Sequence, residues 1–293
     1  MKGGLRALAA FLFAAISLEG APFPAPPFYL QETQRYPGQV LRVRAQSPSL
    51  PAEHAKAFRQ EASFFAEPGS GHPLALLAIP LEARPGPQRV EIGGRWLGFQ
   101  LRANPVKPQL IRLSAKASKA ADSLPTDKKV LDKALLTDGP PLWLGPFLPP
   151  SLGRLSTPFG APRLYLPGEY RWFHKGMDFA MPVGTTLCAA QDGVVALAAD
   201  LKAFGKVVVL SHGCGLSSTC MHMSRLDVKA GDKVSRGQAL GLSGSEGIST
   251  GPHLHFQMNL RGFPVDPLEW LQFPPPGDEI HSKATGEKKP LLK

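Results

Sequence analysis

Hydrophobic positions along this chain fall into short runs, and none holds a helical period for long. Between Phe28 and Asn104, Val40, Leu41 and Val43 alternate in part with Arg42 and Arg44. Leu74 to Ile79 is an unbroken apolar run ended by Pro80. Arg89-Val90-Glu91-Ile92 and Trp96 to Leu101 flank the turn Gly93-Gly94. Short runs separated by Gly/Pro turns predict strands, and their spacing predicts a small antiparallel, immunoglobulin-like β-sandwich over 28–104. From Leu152 the runs become more β-branched: Val194-Val195, Val207 to Leu210, Val228, Val234 and His253 to Met258. Turns such as Asp192-Gly193, Gly213-Cys214-Gly215 and Gly231-Asp232 separate them. This pattern predicts a second all-β domain of curled, barrel-sandwich-like sheets over 151–272.

The pieces between and around these domains read differently. Residues 105–150 are polar and Lys-rich, then Pro-rich with Trp143 and Phe147, which predicts a linker with one short helix and an extended approach to the second domain. Residues 1–21 read as a signal peptide. Lys2 and Arg6 precede an uncharged apolar run, Ala7 to Leu18, too short to span a bilayer comfortably. Export to the periplasm, cell envelope or exterior is the expectation, with no stable transmembrane span. The Pro- and Lys-rich tail, 273–293, is expected to be disordered.

Composition changes this picture in three places. With 31 Pro and 30 Gly in 293 residues, long helices are disfavoured. The formal net charge of +10 suits a polyanionic partner such as cell wall, membrane or nucleic acid, among which charge alone does not choose, or serves solubility. No nucleic-acid motif accompanies it. Three cysteines, Cys188, Cys214 and Cys220, read either as a bridge between the last two or as three small half-buried thiols, and an odd count is no disulfide framework.

Candidate chemistry concentrates in the second domain, which holds five of the eight His before the tail. His253-Leu254-His255 puts two imidazoles on one strand face. His174 and Asp178 share a face if their segment is extended, and Gly176 disfavours a helix there. Two such pairs on neighbouring strands can close on one ion, and imidazole with carboxylate suits zinc. Three protein ligands would leave a position open for water, the catalytic pattern. His54 and His72 are isolated, with surface or packing roles expected. No H-E-x-x-H occurs, so a glutamate-base zincin is excluded.

The surrounding text is more specific than any single pair. In order come Ser156-Thr157-Pro158-Phe159-Gly160, His174-Lys175-Gly176-Met177-Asp178, Pro182-Val183-Gly184-Thr185, and Ala189 to Val195. Then follow Ser211-His212-Gly213, His222-Met223-Ser224, Gly231-Asp232-Lys233-Val234, Ser249 to Phe256, and Val265-Asp266-Pro267. Over about 120 residues this resembles the lysostaphin-type, or LytM-type, zinc metalloendopeptidases. The resemblance implies one Zn(2+) per chain held by His174, Asp178 and His255. It implies His222 and His253 as the two catalytic His, and His212 as structural. It implies peptidoglycan stem peptides as substrate. The N-terminal β-sandwich is similar to one found ahead of the peptidase in some members. One departure stands out: the family usually has an aromatic residue two before the middle His, and here it is Cys220. On a strand Cys220 would share the face of His222, which bears on specificity more than on activity.

Two rival readings are weaker. A non-catalytic LytM-type regulator of other wall hydrolases would be expected to lack zinc ligands, and all three are present. A lipoyl- or biotinyl-type carrier would match Val228 to Val234, but its modifiable Lys would have to be Lys175, between two expected ligands. The aromatic residues Phe159, Tyr165, Tyr170 and Trp172 precede the first ligand, as groove lining or as core.

Overall fold

The computed structural model describes residues 28–49, 51, 53–166 and 170–272. The expected signal segment 1–21 and the tail 273–293 lie outside the described residues. Among the described residues the protein is all-β apart from two short helices and one 3-10 turn.

The N-terminal part is two sheets packed face to face. One runs in the order Phe28–Leu30, Val40–Ala45, Pro73–Ala78, Phe65–Ala66. The other runs Gln34–Arg35, Arg95–Leu101, Gly86–Ile92, His54–Ala57, Gln60–Ser63. Pro73–Ala78 is buried at every position, which explains its unbroken apolar run. Ala75 and Leu77 face Leu41, Val43, Val90, Ile92, Phe99 and Leu101 between the two sheets. Leu74, Leu76 and Ala78, with Val40, face the other way and enter the core of the C-terminal part beside Met177, Phe179, Phe256 and Val265. Each such side chain removed from water contributes about 1.5–3 kcal/mol. Polar contacts reinforce the junction. Arg35 pairs with Glu32 and Glu269, and its Nη2 donates to the Val40 carbonyl at 2.6 Å. The Val40 N–H donates to Glu269 at 2.7 Å, and Arg261 donates to the Leu76 carbonyl at 2.8 Å.

The C-terminal part is built on one large sheet in the order Arg154–Thr157, Met177–Ala180, His253–Leu260, Leu216–Met223, Gly205–Gly213, Gly193–Leu201, Lys233–Val234. Phe263–Val265 pairs with His253–Leu260 as well. A small sheet of Thr186–Cys188, Ala239–Leu242 and Arg225–Leu226 covers one face. A third sheet joins Pro162–Leu166 to Tyr170–Phe173 and, in parallel, to Gln109–Arg112.

Residues 105–150 form that Gln109–Arg112 strand, then two helices rather than one: α1 (Ala115–Ala121) and α2 (Leu124–Leu135). Leu131 and Leu135, four apart on α2, pack on Leu201, Val207, Val209 and Met221 of the large sheet. The chain then lies along the sheet. The Cys214 N–H donates to the Gly139 carbonyl, the Leu142 N–H to the His212 carbonyl and the Leu148 N–H to the Ala190 carbonyl, each at 2.8 Å. Cys188, Cys214 and Cys220 are all buried, unbridged thiols. No helix among the described residues is long and apolar enough to cross a membrane.

Candidate metal centre

Three neighbouring strands of the large sheet bring the expected site residues together. Asp178 stands directly opposite His255 in the ladder between Met177–Ala180 and His253–Leu260. His174 precedes the first of these strands, held by backbone bonds to Gly160 and Ala161 at 2.8 Å. Gly176 is needed for this approach. A Cβ there would lie 2.4 Å from the Phe256 carbonyl oxygen and 2.7 Å from His255 Nε2.

His174, Asp178 and His255 each offer one ligand atom, all within 4.8 Å of one another. His174 Nε2 lies 3.0 Å from Asp178 Oδ1 and 3.1 Å from His255 Nδ1, and His255 Nδ1 lies 2.9 Å from Asp178 Oδ1. The outer contacts assign the tautomers. His174 Nδ1 lies 2.8 Å from the Pro158 carbonyl, so it carries the proton and Nε2 is a bare lone pair. His255 Nε2 faces Gln257 Oε1 at 3.5 Å, and the Gln257 amide is oriented by donation to Asn259 Oδ1 at 2.8 Å. His255 Nδ1 is therefore bare too. Two imidazole lone pairs and a carboxylate oxygen converge, an arrangement that suits a cation and no neutral partner.

Electrostatics agree. Burial lowers the His174 pKa to about 4, so its ring is neutral near pH 7. Asp178 is buried, and the Arg163 guanidinium beside it favours its carboxylate form. Arg163 binds the other oxygen, Oδ2, at 2.9 Å. Arg163 is itself held by Gln109 Oε1 at 3.2 Å and the Tyr165 hydroxyl at 3.3 Å. Asp178 is thereby left with one free oxygen toward the imidazoles.

His222 and His253 flank this trio, their ring centroids 4.7 Å apart. His253 Nδ1 donates to the Gly251 carbonyl at 2.7 Å, which turns Nε2 toward Asp178 Oδ1 at 3.8 Å. His222 Nδ1 donates to the Glu246 carbonyl at 2.7 Å. Burial, then the nearby His253 and His255, lower the His222 pKa to about 3. Each ring thus leaves Nε2 to the site, an atom that can take a proton or, once protonated, donate a hydrogen bond.

His222 reaches the site through an irregular backbone. Met221 lies opposite His255, so a regular strand would send His222 to the far face. Instead His222 has φ +62°, a left-handed conformation costly for a residue with a Cβ, next to a register shift between Lys206 and Val208. That bend returns the ring to within 6.1 Å of the His255 ring. It also separates His222 from Cys220. The expectation that the two share a face is not met: Cys220 stands opposite Phe256 and lies in the core. Burial there pushes the Cys220 thiol up to about 12.

The remaining expectations sort as follows. His212 is fully buried, bonded to the Asp192 carbonyl at 2.7 Å and to Ser218 Oγ at 2.9 Å, away from the trio. His54 is a surface residue beside Ser63. Phe159 belongs to the core, whereas Trp172 is exposed, with Lys175 Nζ 5.3 Å above its ring. Sequence reasoning missed Arg163, Gln257 and the carbonyls of Pro158, Gly251 and Glu246. Only Arg163 had a legible sign, a lone charge close to the Phe159-Gly160 run.

Fold and site together define an all-β protein with a His-His-Asp cluster able to hold a metal ion, flanked by His222 and His253. The model of peptidase family M23 matches residues 172–267, a span that holds all five residues. The chain is 30% identical to a putative peptidase M23 from Pseudomonas aeruginosa of known crystal structure, covering 79% of this chain and 92% of that one with a TM-score of 0.61. This chain belongs to peptidase family M23. It is also 42% identical over 116 residues to peptidoglycan DD-endopeptidase ShyA of Vibrio cholerae, covering 40% of this chain and 27% of that protein. It is 37% identical over 116 residues to the DD-carboxypeptidase/endopeptidase Mpg of Neisseria meningitidis, covering 39% of this chain and 26% of that protein. The chain thus spans about a quarter of the length of these curated relatives.

Proposed function

We propose that this protein is an exported zinc metalloendopeptidase that hydrolyses peptide cross-links of bacterial peptidoglycan. The observation that carries the reading is the convergence of His174 Nε2, His255 Nδ1 and Asp178 Oδ1, each about 3 Å from the others with its proton-bearing side turned away. Such a nitrogen-rich set suits zinc better than calcium or magnesium, which favour oxygen. When bound, one zinc per chain supplies a Lewis acid that polarises the scissile carbonyl and makes water nucleophilic near neutral pH.

The chain's own groups do the rest. Asp178, anchored by Arg163, contributes one negative oxygen and keeps its orientation. His253 and His222 leave their Nε2 atoms free beside the three ligand atoms. One accepts the proton of the attacking water at Nε2 and passes it to the leaving amine, and the other, after taking up a proton from solvent, donates to the developing oxyanion. Their Nδ1–H bonds to Gly251 and Glu246 keep both rings in the tautomer this requires. The peptidoglycan substrate rests on the similarity to the peptidoglycan DD-endopeptidase ShyA and the DD-carboxypeptidase/endopeptidase Mpg and on the basic net charge, which favours approach to an anionic wall. The domain limits fit this use: a sandwich over 28–104, a strapping segment over 105–150 and the peptidase over 151–272.

The test compares the mature protein with His255→Ala. About one zinc per chain and release of cleaved stem peptides from purified peptidoglycan, both lost in the variant, are expected. Binding to peptidoglycan with neither zinc nor cleavage would replace the enzyme with a regulator of other wall hydrolases.

A further inference from the structure

A contact from helix α2, outside the family match, reaches the turn whose carbonyl bonds His222. Asp127 sits in the first turn of α2, where an acidic side chain ordinarily faces its own helix N–H groups. Here it is buried, and its Oδ2 accepts the Ala203 N–H at 2.7 Å, across 76 residues. Ala203 is the pivot of the turn that meets His222. The adjacent Phe204 carbonyl accepts the His222 N–H at 2.9 Å, and the Ala203 carbonyl accepts the Ile248 N–H at 2.8 Å. Ile248 in turn follows Glu246, whose carbonyl takes the His222 Nδ1 proton. The two loops touch through bare backbone: a Cβ on Gly247 would lie 2.6 Å from the Ala203 carbonyl oxygen and 2.6 Å from the Gly205 nitrogen.

We propose that Asp127 is a positioning residue for His222. A buried carboxylate costs free energy unless a specific partner uses it, and this one is spent on a single backbone amide. That amide belongs to the turn whose next carbonyl fixes the His222 backbone at φ +62° and whose other contact fixes the carbonyl that sets the His222 tautomer. Without the Asp127 anchor, the Lys202–Gly205 turn can relax, and His222 loses the restraint that keeps its ring turned to the metal centre. The inference rests on the proposed catalytic reading of His222.

The test uses the full mature protein with Asp127→Ala, Asp127→Asn and Leu131→Ala. Leu131 lies on the same helix and shares its apolar cluster with Met221 and Phe204, but makes no hydrogen bond to the Ala203 turn. Zinc affinity, kcat and KM on peptidoglycan, and the His222 ring 15N shifts are measured for each. In Asp127→Ala, kcat falls about 10- to 100-fold while zinc affinity and KM stay within about twofold, the signature of a misplaced group rather than lost binding. The His222 shifts move away from those of an Nδ1–H tautomer. Asp127→Asn, whose amide oxygen still accepts the Ala203 N–H, recovers most of the rate. Leu131→Ala lowers Tm and leaves kcat and the shifts unchanged. Unaltered shifts in Asp127→Ala, or equal losses of rate in Asp127→Ala and Leu131→Ala, would overturn the inference. A wild type without zinc or cleavage would overturn the catalytic reading instead, and the His222 shifts would still decide whether Asp127 positions the ring.

Discussion

At the residue scale the site is a set of lone pairs whose protons have been sent elsewhere. The side chains that supply those lone pairs were legible as letters, because His-x-His and His-x-x-x-Asp recur within a long family-like text. The groups that fix their tautomers were not, since a carbonyl at Pro158 or Glu246 has no letter of its own. Arg163 shows what that hidden layer does. By binding Asp178 Oδ2 at 2.9 Å it leaves one oxygen facing the imidazoles. In Arg163→Met the carboxylate is free to turn both oxygens inward, raising the coordination number above four. The Co(2+)-loaded variant should therefore absorb more weakly in the visible than Co(2+)-loaded wild type, and equal spectra would show that Arg163 does not set the denticity. His212 carries a second prediction. Burial lowers its pKa to about 4, against about 6.5 in the unfolded chain. The unfolded chain binds this proton first, so stability contributed by neutral His212 is complete above pH 6.5 and is lost as pH falls toward 4. The loss is about 3 kcal/mol. Urea unfolding at pH 7.5 and pH 4.5 should show a smaller pH dependence in His212→Gln than in wild type.

At the element scale, strands were readable wherever burial is simple. Leu74 to Ile79 reads as an unbroken apolar run because both faces of that strand are covered, one by its own sandwich and one by the peptidase sheet. Helix α2 was under-read for the opposite reason. Its buried apolar positions, Leu131 and Leu135, are few among Lys128, Lys129, Asp132 and Lys133. Tertiary packing on Val207, Val209 and Met221, rather than local pattern, makes it a helix of 12 residues. The Leu216–Met223 strand misled in a third way. Period-two reasoning placed Cys220 beside His222, and the left-handed bend at His222 breaks that alternation. The consequence is testable. In Cys220→Tyr the new ring enters the packed core near Phe256 instead of the substrate side, which should destabilise the protein by about 1–3 kcal/mol. Thermal unfolding should record that loss. A variant with unchanged Tm and altered substrate preference would show that position 220 faces the groove after all.

At the scale of the whole molecule, the sandwich and the peptidase share one core. Leu74, Leu76 and Val40 pack with Phe179, Phe256 and Val265, so neither half completes its apolar burial alone. The charged cluster over this junction is buried on both sides: the Arg35 side chain is 5% exposed and the Glu269 side chain 10%. Glu269 also accepts the Val40 N–H, and Arg42 stacks over Trp270 with its guanidinium 5.3 Å from the ring centre. A buried pair of this kind adds little net stability when intact, but removing Glu269 leaves buried Arg35 with only the half-exposed Glu32 and takes the carboxylate from Arg42, a loss of up to about 3–5 kcal/mol. Glu269→Ala should therefore cost far more than a surface substitution. The loss should appear as uncoupling, because the stranded charge lies between the halves and not inside either. Urea unfolding followed by fluorescence, weighted to Trp143 and Trp270 at the junction, and by far-UV circular dichroism, which reports all strands, should coincide in wild type. In Glu269→Ala the fluorescence midpoint should fall below the dichroism midpoint. Two curves that still coincide would mean that the apolar contacts alone hold the halves as one cooperative unit, with the ion cluster fixing only their register.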